Sequence, residues 1–145
     1  MTMRNLDSLI RKLNRLSGDK APLVRGIKKA TIKVQGDAKQ LAAVGETGQL
    51  RNSIKEETKE TTTGAQGRVY TNAEHAPYVE FGTGQRGEAS PSPPKYDGDL
   101  YYRQDWAGME AQPYMYPAAK QNEKIVPKIV GDEIRKELRS LRGRR

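Results

Sequence analysis

Val69–Thr83 reads VYTNAEHAPYVEFGT, and the fold of the chain turns on it. A β-prone run leads into a turn, a proline, the compact cluster Tyr78, Val79 and Phe81, and a Gly82-Thr83 exit. Ala76-Pro77 suits the first turn of a helix, so Glu74–Phe81 is predicted to form one helical turn. Tyr78 and Phe81, three apart, then share a face. Downstream, Gln112–Ala119 (QPYMYPAA) has the complementary pattern, two prolines bracketing aromatics and then a helix start at Pro117. A chain poor in large apolar residues elsewhere must build its core around these two stretches. Tyr78, Val79, Phe81, Tyr114 and Pro117 are the expected heart, and truncating a buried Phe81 to alanine would cost about 3–5 kcal/mol.

The apolar supply is thin. Leu, Ile, Val and Phe number 25 of 145 residues, below the roughly 20% at which disorder becomes a concern. The net charge of +8 pushes the same way. Periodic segments argue for a fold, with a small core completed by neighbouring subunits. One domain over 1–145 is expected: helical over 1–44, sheet and long loop over 45–119, and a C-terminal helix over 117–142. Without cysteine there is neither a disulfide framework nor a thiolate metal site. No run approaches the ~18 apolar residues of a membrane span, and no signal-peptide core is seen. A soluble chain made in the cytosol is expected.

Charge is segregated. Residues 1–43 sum to +7, residues 44–119 to −4 and residues 120–145 to +5. Solvated helix faces account for this, as do nucleic-acid contact and a ring whose subunits meet positive face to negative face.

Leu6, Leu9, Ile10, Leu13 and Leu16 form one amphipathic stripe, stopped at Ser17-Gly18-Asp19. A second helix is predicted from Pro22, with Leu23, Ile27, Ala30, Val34, Ala38 and Leu41 inward and Gly45 as its stop. Gly26 and Gly36 weaken that helix or mark close contacts. Thr47–Ile54 (TGQLRNSI) reads as a loop or short turn, and Ser53–Thr63 as an exposed strand. Thr63–Gly67 reads as the turn, with Arg68–Thr71 resuming a strand. Residues 82–99 form a long loop, of a length that is usually functional or disordered. Leu100–Trp106 (LYYRQDW) is predicted as a strand, pairing with residues near Lys95-Tyr96. Val126, Val130, Ile134, Leu138 and Leu141 stripe the C-terminal helix, which Pro127 should kink or restart. The class is α+β: N-terminal helices, a central mostly antiparallel sheet with a long loop or hairpin, and a C-terminal helix packed on the sheet.

Catalytic constellations are missing from the pattern. His75 is the only histidine and reads as a turn residue, since a metal needs three ligands at defined spacing. Asp97, Asp99, Asp105 and Glu110 follow no ligand-loop pattern and read as turn formers. Ser53, Ser90 and Ser92 lack a nucleophile elbow, and Gly82, Gly84 and Gly87 form no phosphate-binding fingerprint. The expectation is no enzyme, no cofactor and no metal. Tyr96, Tyr101, Tyr102, Arg103 and Trp106 mark an interaction loop: as base-stacking residues they meet local acids, and packing against another subunit fits them better.

TGQLRNSI at 47–54, HAPYVEFGT at 75–83 and AQPYMYPA at 111–118, in this order, resemble the tail-completion, or head–tail joining, proteins of long-tailed bacteriophages. These are also described as neck, minor tail or morphogenesis proteins. The pairing of YVEFGTG with QPYMYPA carries most of the likeness, which covers residues 45–130. The N-terminal helices match in type and placement. Tyr114 stands where such proteins usually have Phe.

The resemblance implies a small subunit of a homo-oligomeric, hexameric ring in the virion neck. That ring caps the head-proximal end of the tail tube and docks on the head connector or stopper. Genome DNA passes through its lumen, and no membrane is involved. Tyr78, Val79, Glu80, Phe81, Gly82, Thr83, Gln112, Pro113, Tyr114 and Pro117 are the structural and assembly positions it marks. The alternative is a basic nucleic-acid-binding protein of DNA packaging or morphogenesis.

Overall fold

The computed structural model describes residues 18–42, 48–91, 93–94 and 100–143. The Leu6–Leu16 stripe, the Gly45 stop and Tyr96 lie outside the described residues. In chain order the elements are α1 (Ala21–Leu41), α2 (Gln49–Ser53), β1 (Lys55–Thr61), β2 (Gly64–Tyr70), α3 (Ala76–Phe81), α4 (Gly84–Ala89), α5 (Met115–Gln121) and α6 (Ile125–Arg142). The class is α+β, its antiparallel sheet being the hairpin β1-β2. Two compact units share the chain: the chain up to Ile32 with Glu57–Arg68 and Lys124–Arg145, and Lys33–Glu56 with Val69–Glu123. Helix α1 contributes to both.

In the first unit, Asp19 starts α1 by accepting the Ala21 N–H at 3.0 Å, and Pro22 is buried in the first turn. The two α1 glycines turn out to differ. A Cβ on Gly26 would stand 3.0 Å from the Val130 Cα, so α6 crosses α1 there, whereas Gly36 has nothing within 4 Å. Glu133, buried, accepts from Lys29 Nζ at 2.7 Å and from Arg25 Nε at 3.3 Å. The Lys29 bond holds its carboxyl below the usual range, against the opposing effect of burial.

The hairpin turns at Thr62-Thr63, a correction to the turn expected over Thr63–Gly67. The glycines there are strand residues that let α1 approach. A Cβ on Gly67 would overlap the Thr31 hydroxyl, and one on Gly64 would press on Leu23 at 3.3 Å. Lys20 Nζ fixes the turn by donating to the carbonyls of Thr61 (2.7 Å) and Thr62 (3.0 Å).

The second unit has a core of small residues round one ring. Ala38, Ala42, Leu50, Ile54, Ala76, Tyr114 and Ala118 are buried together, with Val34, Val69, Ala73, Val79 and Met115 packed against them. Leu41 points outward and Ala42 takes the inward place. Gln49–Ser53, expected as loop or short turn, is helix α2, which buries Leu50, and Gln35 Nε2 donates to the Ile54 carbonyl at 3.0 Å. Asn122, fully buried, donates to Asp37 Oδ2 at 2.7 Å and to the Ala118 carbonyl at 2.8 Å. Lys33 Nζ bonds the same Asp37 oxygen at 2.6 Å, and these bonds, Lys33 foremost, keep Asp37 below its ordinary pKa.

Three further expectations are corrected. Gly84–Ala89, expected as loop, is helix α4, and Leu100–Trp106 forms no strand. The C-terminal helix is two helices, because the chain leaves α5 at Asn122 and restarts at Ile125. Pro127 thereby occupies the third position of α6, where it has no helical N–H bond to lose.

Candidate functional site

Glu80 joins the two signature stretches. The carboxylate on α3 is buried, and it reaches the start of α5, 34 to 36 residues further on. Its Oε2 accepts the N–H groups of Tyr114 (2.9 Å) and Met115 (3.0 Å), and Oε1 accepts that of Tyr116 (2.9 Å). A helix begins with four N–H groups that have no partner inside it. Here three are held by one carboxylate, and the fourth position is Pro117, which has none. A negative charge at that end also complements the helix dipole. Tyr114 stands beside this carboxylate with only 1% of its surface exposed. Burial, reinforced by the Glu80 charge, pushes its phenol up to about 12.

Backbone bonds join the next turn of chain, with Thr83 Oγ1 and Ser90 Oγ also accepting the N–H groups of Met109 and Ala111, each at 3.0 Å. Thr83 and Met109 exchange N–H···O bonds of 2.9 and 3.0 Å in an isolated antiparallel bridge. The carbonyls of Trp106 and Ala107 accept from Gln85 (3.0 Å) and Arg86 (2.9 Å), capping the first turn of α4. This is why LYYRQDW is not a strand: its end is spent on a helix start. The approach leaves no room for side chains. A Cβ on Gly82 would lie 2.7 Å from Ala111 N, Gly87 Cα and Met109 O, and one on Gly108 would overlap the Thr83 carbonyl. Both glycines also have positive φ, 76° and 69°, which side-chain-bearing residues rarely adopt. Gln112 N–H donates to the Val79 carbonyl at 2.8 Å and Tyr102 O–H to the Phe81 carbonyl at 3.0 Å.

The expected site residues divide accordingly. Glu80, Gly82 and Tyr114 are buried, while Val79, Phe81, Thr83, Pro113 and Pro117 are half-buried. Gln112 enters through its backbone, its side chain lying exposed. Tyr78, expected at the heart, stands 64% exposed. The one-turn helix has only a narrow inward face, and Ala76 and Glu80 occupy it. In the expected interaction loop, Tyr102 points inward, and burial raises its phenol pKa. Tyr101 (88% exposed) and Trp106 (50% exposed) point outward, as does Met109. Arg103 makes a two-pronged pair with Asp105, 3.1 and 2.8 Å, so neither charge stands alone. Sequence reasoning missed Gly108, Met109 and Asn122. A glycine needed for close approach looks like any loop glycine until its opposite number is known.

No described helix is long and apolar enough to cross a membrane, and no group of three His, Cys, Asp or Glu among the described residues is placed to hold a metal. No curated protein and no solved structure matches the chain. A family described as "Bacteriophage HK97-gp10, putative tail-component" matches residues 7–82. The match takes in the N-terminal segment, where likeness only in type was expected, and stops at Gly82, ahead of Gln112–Ala118. Since it spans just over half of the 145 residues, the chain belongs to this HK97-gp10-like family of phage tail components.

Proposed function

We propose that the protein is the tail-completion subunit that joins head to tail, and that it acts by assembly without catalysis. Copies of it close a ring, hexameric in the family resembled, at the head-proximal end of the tail tube, where it meets the connector or stopper. The observation that carries this reading is a set of outward aromatic and sulfur side chains, Tyr101, Trp106 and Met109, on a segment whose backbone is pinned to α4. Aromatic and methionine side chains are enriched in protein interfaces, and a pinned backbone presents them with little ordering cost on docking. Tyr78 adds a further exposed ring on the neighbouring helix α3. The lean core agrees, since such a unit gains stability from its neighbours.

The test is a phage in which this gene is deleted. Filled heads and separate tails are expected, rejoined when the wild-type protein is supplied. Complementation with Tyr101→Ala/Trp106→Ala should leave them separate although the variant folds. Joined, infective particles from the deletion would overturn the reading.

A further inference from the structure

We propose that the outward face of α6 is a contact surface for the phosphate backbone of double-stranded DNA. The inference rests on the neck reading, which brings genome DNA past the protein, and it adds which face meets that DNA. Helix α6 sorts its charges by side. Its acids Glu133 and Glu137 turn inward and pair with Arg25 and Lys29 of α1. Lys128, Arg135, Arg139 and Arg142 recur at intervals of seven, four and three, and all are exposed. At about 100° per residue they fall in one narrow stripe. The stripe extends about 21 Å at 1.5 Å rise per residue.

One acid interrupts it, Asp132, which is paired with Arg135. Lys128, Arg139 and Arg142 make no ion pair with another described residue, while Lys136 at the stripe's edge also acts on the Glu133 charge. A face built only for solubility interleaves its signs, as Lys33 with Asp37 and Lys120 with Glu123 do in this chain. A stripe of four cations with a single acid on it matches a partner that is densely and uniformly negative, and duplex DNA presents one negative charge per roughly 1.7 Å of axis. The stripe offers no Asn, Gln or aromatic side chain, and although arginine can also read guanine edges, a row of cations on a straight helix face meets phosphates whatever the bases. The contact proposed is therefore to phosphates, independent of sequence and compatible with sliding.

The experiment measures binding of the full chain to a 25-base-pair duplex of arbitrary sequence by fluorescence anisotropy, from 50 to 200 mM salt. With about four cations engaged, affinity should fall about a hundredfold across that range. Lys128→Gln/Arg139→Gln/Arg142→Gln should reduce the salt slope by about 2.7, with unchanged helicity and melting. Lys59→Gln on the hairpin should leave the slope as it was. A wild-type chain that does not bind at 50 mM would overturn the proposal. So would a triple variant that binds as wild type does, or one that fails only to capture an acidic tail or connector protein. Failure here leaves the neck reading standing if deletion still separates heads from tails; DNA binding with joined deletion particles would sink the neck reading alone.

Discussion

Glu80 and Tyr114 carry the unit that holds both signature stretches. Replacing Glu80 by alanine strands three N–H groups at a helix start that is buried at Tyr114 and part-buried beyond it, and hydrogen bonds to a charged group contribute about 1.5–3 kcal/mol each before relaxation. Glu80→Ala is expected to cost at least about 3 kcal/mol in urea unfolding, with Glu80→Gln intermediate because its amide presents one acceptor oxygen. A midpoint unchanged in both variants would contradict the capping role. Tyr114→Ala should cost about 3–5 kcal/mol, and Phe81→Ala, half-buried, clearly less. Tyr114 also makes an alkaline signature. Its phenol is raised in the native state to about 12, from about 10 in the unfolded chain. The neutral form is therefore favoured by folding, and the contribution is intact below pH 10 and lost as pH climbs towards 12. Tyr114→Phe should flatten the fall in melting temperature over that window. Sequence reasoning singled out the two stretches that Glu80 joins because proline and aromatic spacing is local information. It placed Tyr78 inside because a three-residue spacing says which residues share a face, not which face is covered.

Glycines decide matters at the level of elements. Gly108→Ala combines positive φ with a clash against the Thr83 carbonyl; it is expected to unlock the bridge between Thr83 and Met109 and to expose those amides to rapid hydrogen exchange. Gly36→Ala, in a helix and with open space around it, should stabilise α1 by about 1 kcal/mol. Gly26→Ala should instead push on Val130, so opposite signs for the two α1 substitutions are the check. Helices α1 and α6 were legible from sequence, since their stripes repeat over many residues. The hairpin turn, α4 and the end of LYYRQDW were not. Each depends on what the backbone meets in a distant segment: the turn on Lys20 and α1, and α4 on the carbonyls of Trp106 and Ala107. Excising residues 84–111 would remove half of that junction, so point variants at Tyr101 and Trp106 separate docking from folding where a deletion cannot.

For the whole molecule, the acid limb of stability should run through Asp37 and Glu133. Both have native pKa values lowered by lysine partners, Lys33 and Lys29. Such groups contribute stability above their unfolded values of about 4 and lose it as pH falls through the lower native ones. Melting temperature should drop below pH 4, and Asp37→Asn should shallow that drop; an identical acid profile in the variant would contradict it. The lean core makes a second expectation. If neighbours complete the fold, the melting temperature of the purified protein should rise with its concentration or on adding tail tubes.

Glu80 finally sets the kind of fastening this chain uses. It closes a span of 34 residues in a protein without cysteine, at a position where a secreted mini-protein would place a disulfide. A carboxylate clasp of this kind is blind to thiols and oxidants. It holds alike in a reducing or an oxidising medium, so the link between the two stretches does not follow the redox state of its surroundings.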